Sequence, residues 1–309
     1  MTEDAVPLDR SMDGSPSGIA QVSPLVRRVV ASNAGPFTFT GTCTYLVGHH
    51  EVVAIDPGPA DPVHLERLLQ ALEGRTLAAI LVTHTHRDHS PGAVALKAAT
   101  GAPVFGPPPI ASRDGGAALD RPALDAAHDR TYQPDRILAD GDTVACGRIE
   151  LQALATPGHT ANHLAFVLPD ETALFSGDHV MAWSTTVVAP PDGAMDSYLA
   201  SLTKLLGRPD RIYWPGHGGP VREPQRFVRA LLHHRRQREQ AILMRLAAGD
   251  RTPETIVRGI YQGLAPSLRG AAALSVLAHL EDLRRRDLVR SDGQGLQAVW
   301  QPAGQLSAS

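Results

Sequence analysis

The segment Thr83-His84-Thr85-His86-Arg87-Asp88-His89 sets three histidines and a carboxylate within six positions, directly after the apolar run LAAILV at 77–82. A buried strand that ends here releases the chain into a tight loop. Imidazoles two residues apart then converge on one cation, while Asp88 and His89 turn toward a second. Neutral imidazole suits zinc, copper, iron and nickel, and a neighbouring carboxylate favours a borderline or harder divalent ion, so zinc is the expected metal.

Three later segments repeat the same grammar of an apolar strand, a small turn and then a His or Asp. TPGH at 156–159 follows IELQAL at 149–154, SGD at 176–178 follows ALF at 173–175, and PGHG at 215–218 follows RIY at 211–213. In open α/β architectures chemistry collects in such loops, because the sheet anchors their roots and leaves the tips free to converge. Each alone is ordinary turn chemistry. Together, in this order, they describe one site fed by four strands.

These motifs, with GTCTYLVG at 41–48 and AIDPG at 54–58 upstream of them, resemble the metallo-β-lactamase superfamily across more than half of the chain. The resemblance implies an α/β fold, the αβ/βα sandwich, in which two mixed sheets pack face to face under outer helices. It also implies that His84, His86 and His159 hold a first metal, that Asp88, His89 and His217 hold a second, and that Asp178 bridges them.

Two divalent ions about 3.5 to 4 Å apart can share a water and lower its pKa toward about 7, supplying hydroxide at neutral pH. One ion also polarises the oxygen under attack and the other stabilises the leaving atom, so the expected activity is hydrolysis across two zinc ions. Asp88 is the expected catalytic residue: a carboxylate bound through one oxygen keeps the other free to accept a hydrogen bond from that water. Ligating imidazoles also need acceptors for their second nitrogens, which the sequence does not identify.

Other candidates read as structural. His179 adjoins Asp178, but neighbours on an extended segment point to opposite faces; His163 is read the same way. Asn162, Thr185 and Thr186 are placed to contact substrate. The pairs His49-His50 and His233-His234 read as exposed. Cys43 and Cys146 fit no CxxC pattern and suggest reduced thiols in a cytosolic setting.

A chain of 309 residues, 43% apolar and 20% charged, can bury a substantial core and is expected to form two domains. Residues 1–20 read as a flexible lead-in, with neither a signal peptide nor an anchor. No segment reaches the roughly 18 uninterrupted apolar residues of a spanning helix, so no membrane partner and a cytoplasmic location are expected. Residues 21–220 form the expected catalytic domain. From 221 to 309 helical periodicity takes over, with a long helix at 226–247, a second opened by Thr252-Pro253, a third at 271–287 and a short hairpin, the pattern of a winged helix. One branch of the superfamily carries such a tail, with a helix similar to HRRQREQAIL at 234–243.

Charge divides unevenly: the tail holds 14 Arg and no Lys against 8 acidic residues, a net of +6, and the first 220 residues carry a net of −9. A basic helical tail can bind phosphate backbones. The favoured reading is instead a structural or dimerising lid over the site. The expected substrate is a small ester-like or thioester-like metabolite, with single-stranded RNA (an endoribonuclease) as the competitor and an iron-dependent oxidoreductase as a further alternative. Only eighteen residues separate His159 from Asp178, which disfavours the nucleic-acid processors with large insertions. No basic residue follows His217 before Arg222, which disfavours β-lactam hydrolysis.

Overall fold

The computed structural model describes residues 6–12, 18–110 and 128–304. Its first sheet joins β1 (Ile19–Gln21), β2 (Val26–Val30), β3 (Cys43–Gly48) and β4 (Glu51–Ile55) to β5 (Thr76–Leu81), β6 (Val104–Gly106) and β7 (Arg136–Ile137). β1 to β4 pair antiparallel, and β4 to β7 are parallel neighbours. Parallel neighbours require crossovers, which α1 (Pro62–Ala71) supplies between β4 and β5 and α2 (Gly92–Thr100) between β5 and β6. α1 starts at Asp61, whose carboxylate accepts from Val63 N at 3.0 Å, with Pro62 in the first helical turn.

The second sheet contains β8 (Thr143–Cys146), β9 (Ile149–Ala155), β10 (Leu164–Leu168), β11 (Ala173–Gly177) and β12 (Ile212–Pro215), in the order β12-β11-β10-β9-β8. β9, β10 and β11 alternate in direction and β12 runs parallel to β11. β9, β11 and β12 therefore end on the same edge of the sheet, and the three later motifs emerge together. Backbone bonds tie this edge to the first sheet: Leu164 N donates to Thr83 O and Cys43 N to Gly216 O, each at 2.8 Å.

Between the sheets lies a core that includes Val47, Val53, Ile55, Leu81, Leu151, Phe166, Phe175 and Trp214. Strands buried on both faces read as near-continuous apolar runs, which is why 77–82 and 164–168 lack alternation. The outer face of the first sheet packs on α1 and α2, and that of the second on α3 (Met195–Leu206) and the first half of α4 (Pro224–Ala247). The αβ/βα sandwich is thus present.

α4 serves two cores. Its Phe227, Val228 and Leu231 pack on the second sheet, while Ile242 and Leu246 join α5 (Pro253–Ile260), α6 (Arg269–Arg285), β13 (Val289–Asp292) and β14 (Val299–Pro302). α5 opens with a capping box between Thr252 and Thr255. The β13–β14 hairpin forms the wing, and its Trp300 is buried in the helical core; truncating such an aromatic to Ala typically costs about 3–5 kcal/mol. No helix among the described residues is long and apolar enough to cross a membrane.

Candidate metal centre

All seven expected ligands meet at the common edge. His84 Nε2 lies 3.0 Å from His86 Nδ1, which lies 3.2 Å from His159 Nε2, and Asp178 completes this group. Beside it, His89 Nε2 and His217 Nε2 are 3.3 Å apart, with Asp88 Oδ2 at 3.4 and 3.1 Å from them. Asp178 stands between the groups: its Oδ2 is 3.8 Å from His159 Nε2 and 3.4 Å from His217 Nε2, and its Oδ1 is 3.5 Å from His89 Nε2. His84, His89 and His217 are wholly buried, whereas the Asp88 side chain opens partly to the cleft.

The outward nitrogens show which atoms remain for a cation. His89 Nδ1 bonds Asp56 Oδ2 at 2.9 Å, His159 Nδ1 bonds Val187 O at 2.8 Å and His217 Nδ1 faces Gly41 O at 3.3 Å. His84 Nδ1 bonds Thr83 Oγ1 at 2.9 Å, and that hydroxyl donates to Asp56 Oδ2 at 2.7 Å. With those nitrogens as donors, the inward ones present lone pairs to one another. Lone pairs repel unless a proton or a metal ion lies between them. Asp178 Oδ1 is likewise buried without a hydrogen-bond partner.

The charge balance points the same way. Burial opposes an imidazolium at His89, yet Asp88, Asp178 and Asp56 raise its pKa well above the usual value. Burial also opposes charge on His217, but Asp178 and Asp88 push it up to about 9. Burial would raise the carboxyls of Asp88 and Asp178, and their histidine neighbours nonetheless hold both well below the usual carboxylate range. His84 and His86 go the other way, because burial and adjacent imidazoles keep them neutral and able to ligate. Carboxylates held anionic around converging imidazoles fit divalent cations.

Two glycines make the approach possible. A Cβ on Gly216 would stand 2.5 Å from Asp178 Oδ1 and 2.6 Å from His89 Cε1. A Cβ on Gly158, at φ +138°, would stand 2.3 Å from Tyr198 Cα in α3.

Asp56 lies in the AIDPG motif that carries the resemblance, but the sequence alone assigns it no role in the site. It adopts φ +52°, a strained conformation for a side-chain-bearing residue, held by bonds to Thr83 N at 2.7 Å, to Thr83 Oγ1 and to His89. Its donor atoms come close to His84 and His89, but its oxygens are already taken as acceptors. A positive φ at a non-glycine residue is not encoded in residue types.

Of the secondary candidates, His163 sits behind His84 with its Nε2 accepting from Asp178 N at 3.3 Å, and His179 packs on the Tyr198 ring. Asn162 donates to Pro108 O at 2.8 Å, a structural contact. Thr186, expected to touch substrate, is instead buried and donates to Asp178 O at 2.8 Å. His49 and His50 are exposed as expected, but His233 and His234 are half-buried because α4 lies against the body of the protein. Cys43 and Cys146 are buried free thiols, raised to about 11 by burial.

Beside the second group of ligands stands an aromatic wall. Phe39 and Trp183 stack at 5.0 Å and 10°, and a Cβ on Gly218, the residue after His217, would meet Trp183 Cδ1 at 2.9 Å and Phe39 Cδ1 at 3.4 Å. Phe37, in the same loop as Phe39, is exposed.

An αβ/βα sandwich with this cluster at its edge defines a class, and the chain belongs to the metallo-beta-lactamase superfamily, which it matches over residues 37–217. Residues 252–300 match the beta-lactamase associated winged helix domain. The chain is 30% identical to an atrochrysone carboxyl ACP thioesterase of Aspergillus chevalieri, over 79% of this chain and 75% of that one. A metallo-beta-lactamase family protein from Thermus thermophilus superposes with a TM-score of 0.75 at 24% identity, covering 91% of this chain and all of that one. A protein solved in a di-iron-bound form superposes with a TM-score of 0.50 at 32% identity, covering 63% of this chain and 93% of that one.

Proposed function

We propose that this protein is a binuclear metal-dependent hydrolase that cleaves a thioester or related ester carrying an apolar acyl group, with zinc as the metal. The observation that carries the substrate class is the Phe39–Trp183 wall beside His217. An apolar acyl chain gains free energy by leaving water for such a surface. The thioesterase named among the relatives supports the same reading.

His84, His86, His159 and Asp178 would hold one ion, and Asp88, His89, His217 and Asp178 the other. When bound, the ions supply Lewis acidity and an acidified water. The chain's own part is to keep the site neutral enough to ligate and dry enough to polarise. Asp88, with Oδ2 toward His217 and its side chain open to the cleft, would orient the attacking water by accepting its hydrogen bond. Asp56 and the Val187 and Gly41 carbonyls keep the imidazoles aimed.

The basic tail gives RNA little support: Arg284 lies over the Trp300 ring, Arg285 pairs with Asp196 at 3.0 Å and Arg286 pairs with Glu239. A second reading, redox chemistry at iron, draws on the di-iron-bound relative. A reducing, cytoplasmic setting suits the two free thiols.

The test compares native protein and Asp178→Ala on a panel of acyl thioesters of increasing chain length and on a labelled single-stranded RNA. Thioester cleavage that needs metal and improves with chain length supports the proposal. Cleavage of RNA alone overturns the substrate class, and stoichiometric iron with a coloured site in protein purified without added metal overturns the zinc assignment.

A further inference from the structure

The connection from β11 to α3, residues 178–194, has no regular structure, and residues within it carry contacts that aim two of the proposed ligands. Val187 O takes the outward nitrogen of His159. Thr186 Oγ1 donates to Asp178 O at 2.8 Å and to His179 O at 3.1 Å, and Tyr198 OH from α3 also donates to His179 O at 3.1 Å. A segment with no ladder of its own must be held from outside.

Two helices leading into and within the winged-helix region hold it. Arg235, in the middle of α4, is 4% exposed, donates from Nη2 to Thr186 O and lies over the Tyr198 ring at 5.0 Å. Ser275, on α6, accepts from Val188 N at 3.4 Å. The two grips fall on the residues either side of Val187. A buried guanidinium facing a carbonyl is an expensive way to pack, since an apolar side chain of similar size would fill the space without the desolvation cost. Its directional bond to one carbonyl is what an apolar residue lacks.

We infer that Arg235 and Ser275 are positioning residues for the metal centre: the helices of the C-terminal part brace the Val187 carbonyl and, through it, the imidazole of His159. The inference rests on the metal-site reading above. It gives the winged-helix region a task inside the hydrolase, independent of any nucleic acid. Second partners that orient metal-bound histidines commonly change metal affinity about 10- to 100-fold when lost, and Arg235 acts one step further out, on the segment that holds the partner.

The experiment uses the full chain as native protein, Arg235→Met, Arg235→Lys, Ser275→Ala and the exposed neighbour control Arg236→Ala. Each is stripped of metal, titrated with Zn²⁺ against a chromophoric chelator, and separately loaded with Co²⁺ for its visible spectrum. Circular dichroism and a thermal melt report folding. Arg235→Met is expected to weaken one of the two metal equivalents about 10-fold or more and to change the cobalt spectrum, while the other equivalent stays near native. Arg235→Lys should recover part of the loss, Ser275→Ala should show a smaller loss of the same kind, and Arg236→Ala should match native. Should Arg235→Met fail to fold, Arg235→Lys and Ser275→Ala decide the matter. Unchanged affinities and spectra in the folded variants, with only the melting temperature lowered, overturn the inference. Native protein that binds no metal overturns the reading beneath it, an outcome visible before any variant is compared.

Discussion

Asp56 Oδ2 bonds His89 Nδ1 directly at 2.9 Å and reaches His84 through the hydroxyl of Thr83. One carboxylate therefore orients a histidine from each of the two ligand groups. Asp56→Asn keeps the shape but replaces a charged acceptor with an amide, so both imidazoles lose their fixed tautomer. Loss of metal affinity of about 10- to 100-fold is expected at both equivalents, in contrast to a one-site defect for Arg235→Met. Chelator competition on the folded variant checks it; native affinity at either equivalent would refute the shared role.

Gly216 is a steric requirement of the site. The added methyl of Gly216→Ala would lie about as close to Asp178 Oδ1 as to His89 Cε1, both far inside ordinary contact. Neither neighbour is a flexible surface end, and His89 is wholly buried. The expected result is a folded protein whose metal content falls below one equivalent per chain and whose hydrolytic activity falls about 100-fold or more, by metal analysis and a thioester assay. Full metal content with normal activity would show that the loop shifts without cost.

The site is readable from sequence where its chemistry resides in side chains of telling type. Three histidines and an aspartate packed at 84–89 after a buried strand describe a metal site and little else, and the three later loops share their direction because β9, β11 and β12 do. What supports those ligands is not readable. Val187 and Gly41 act through backbone carbonyls, which any residue type possesses. Asp56 belongs to a motif of the resemblance, but its role as an acceptor for His89 shows only in its positive φ and its bonds. Thr186 misleads for the same reason: a hydroxyl near a ligand loop looks like a substrate contact until its burial is known. α4 reads as one uninterrupted helix, but that its two halves enter different cores depends on packing that periodicity does not encode.

The aromatic wall yields a prediction about specificity. If Phe39 and Trp183 receive an apolar acyl group, truncation should penalise long chains and spare short ones. Trp183→Ala is expected to reduce kcat/KM for a long-chain or aromatic acyl thioester about 10- to 100-fold, equivalent to about 1.4–3 kcal/mol, mainly through KM. An acetyl thioester should change by less than about 3-fold, since a methyl buries little area. An equal loss on all chain lengths would move the wall from substrate binding to support of the His217 loop.

Acid should destabilise the protein through a histidine far from the metal centre. His279 on α6 is 2% exposed, and neither ring nitrogen has a hydrogen-bond partner. Burial first, and then its basic neighbours Arg235, His234, Arg286 and Arg238, lower its pKa from 6.5 to about 3. The folded state thus holds His279 neutral, while the unfolded chain takes up a proton near pH 6.5. The unfolded state binds more protons between those values, so stability rises with pH there: the contribution is complete above about pH 6.5 and is lost progressively as pH falls toward about 3. At about pH 5 the loss amounts to about 2 kcal/mol. His279→Leu fills a similar space and cannot titrate. Urea unfolding of metal-free protein at about pH 7 and about pH 5 should show native protein losing about 2 kcal/mol more than the variant. His234, lowered to about 3 mainly by burial, leaves the variant some residual acid sensitivity. Equal losses in the two proteins would mean that His279 gains a proton in place, or that the helical core opens before it titrates.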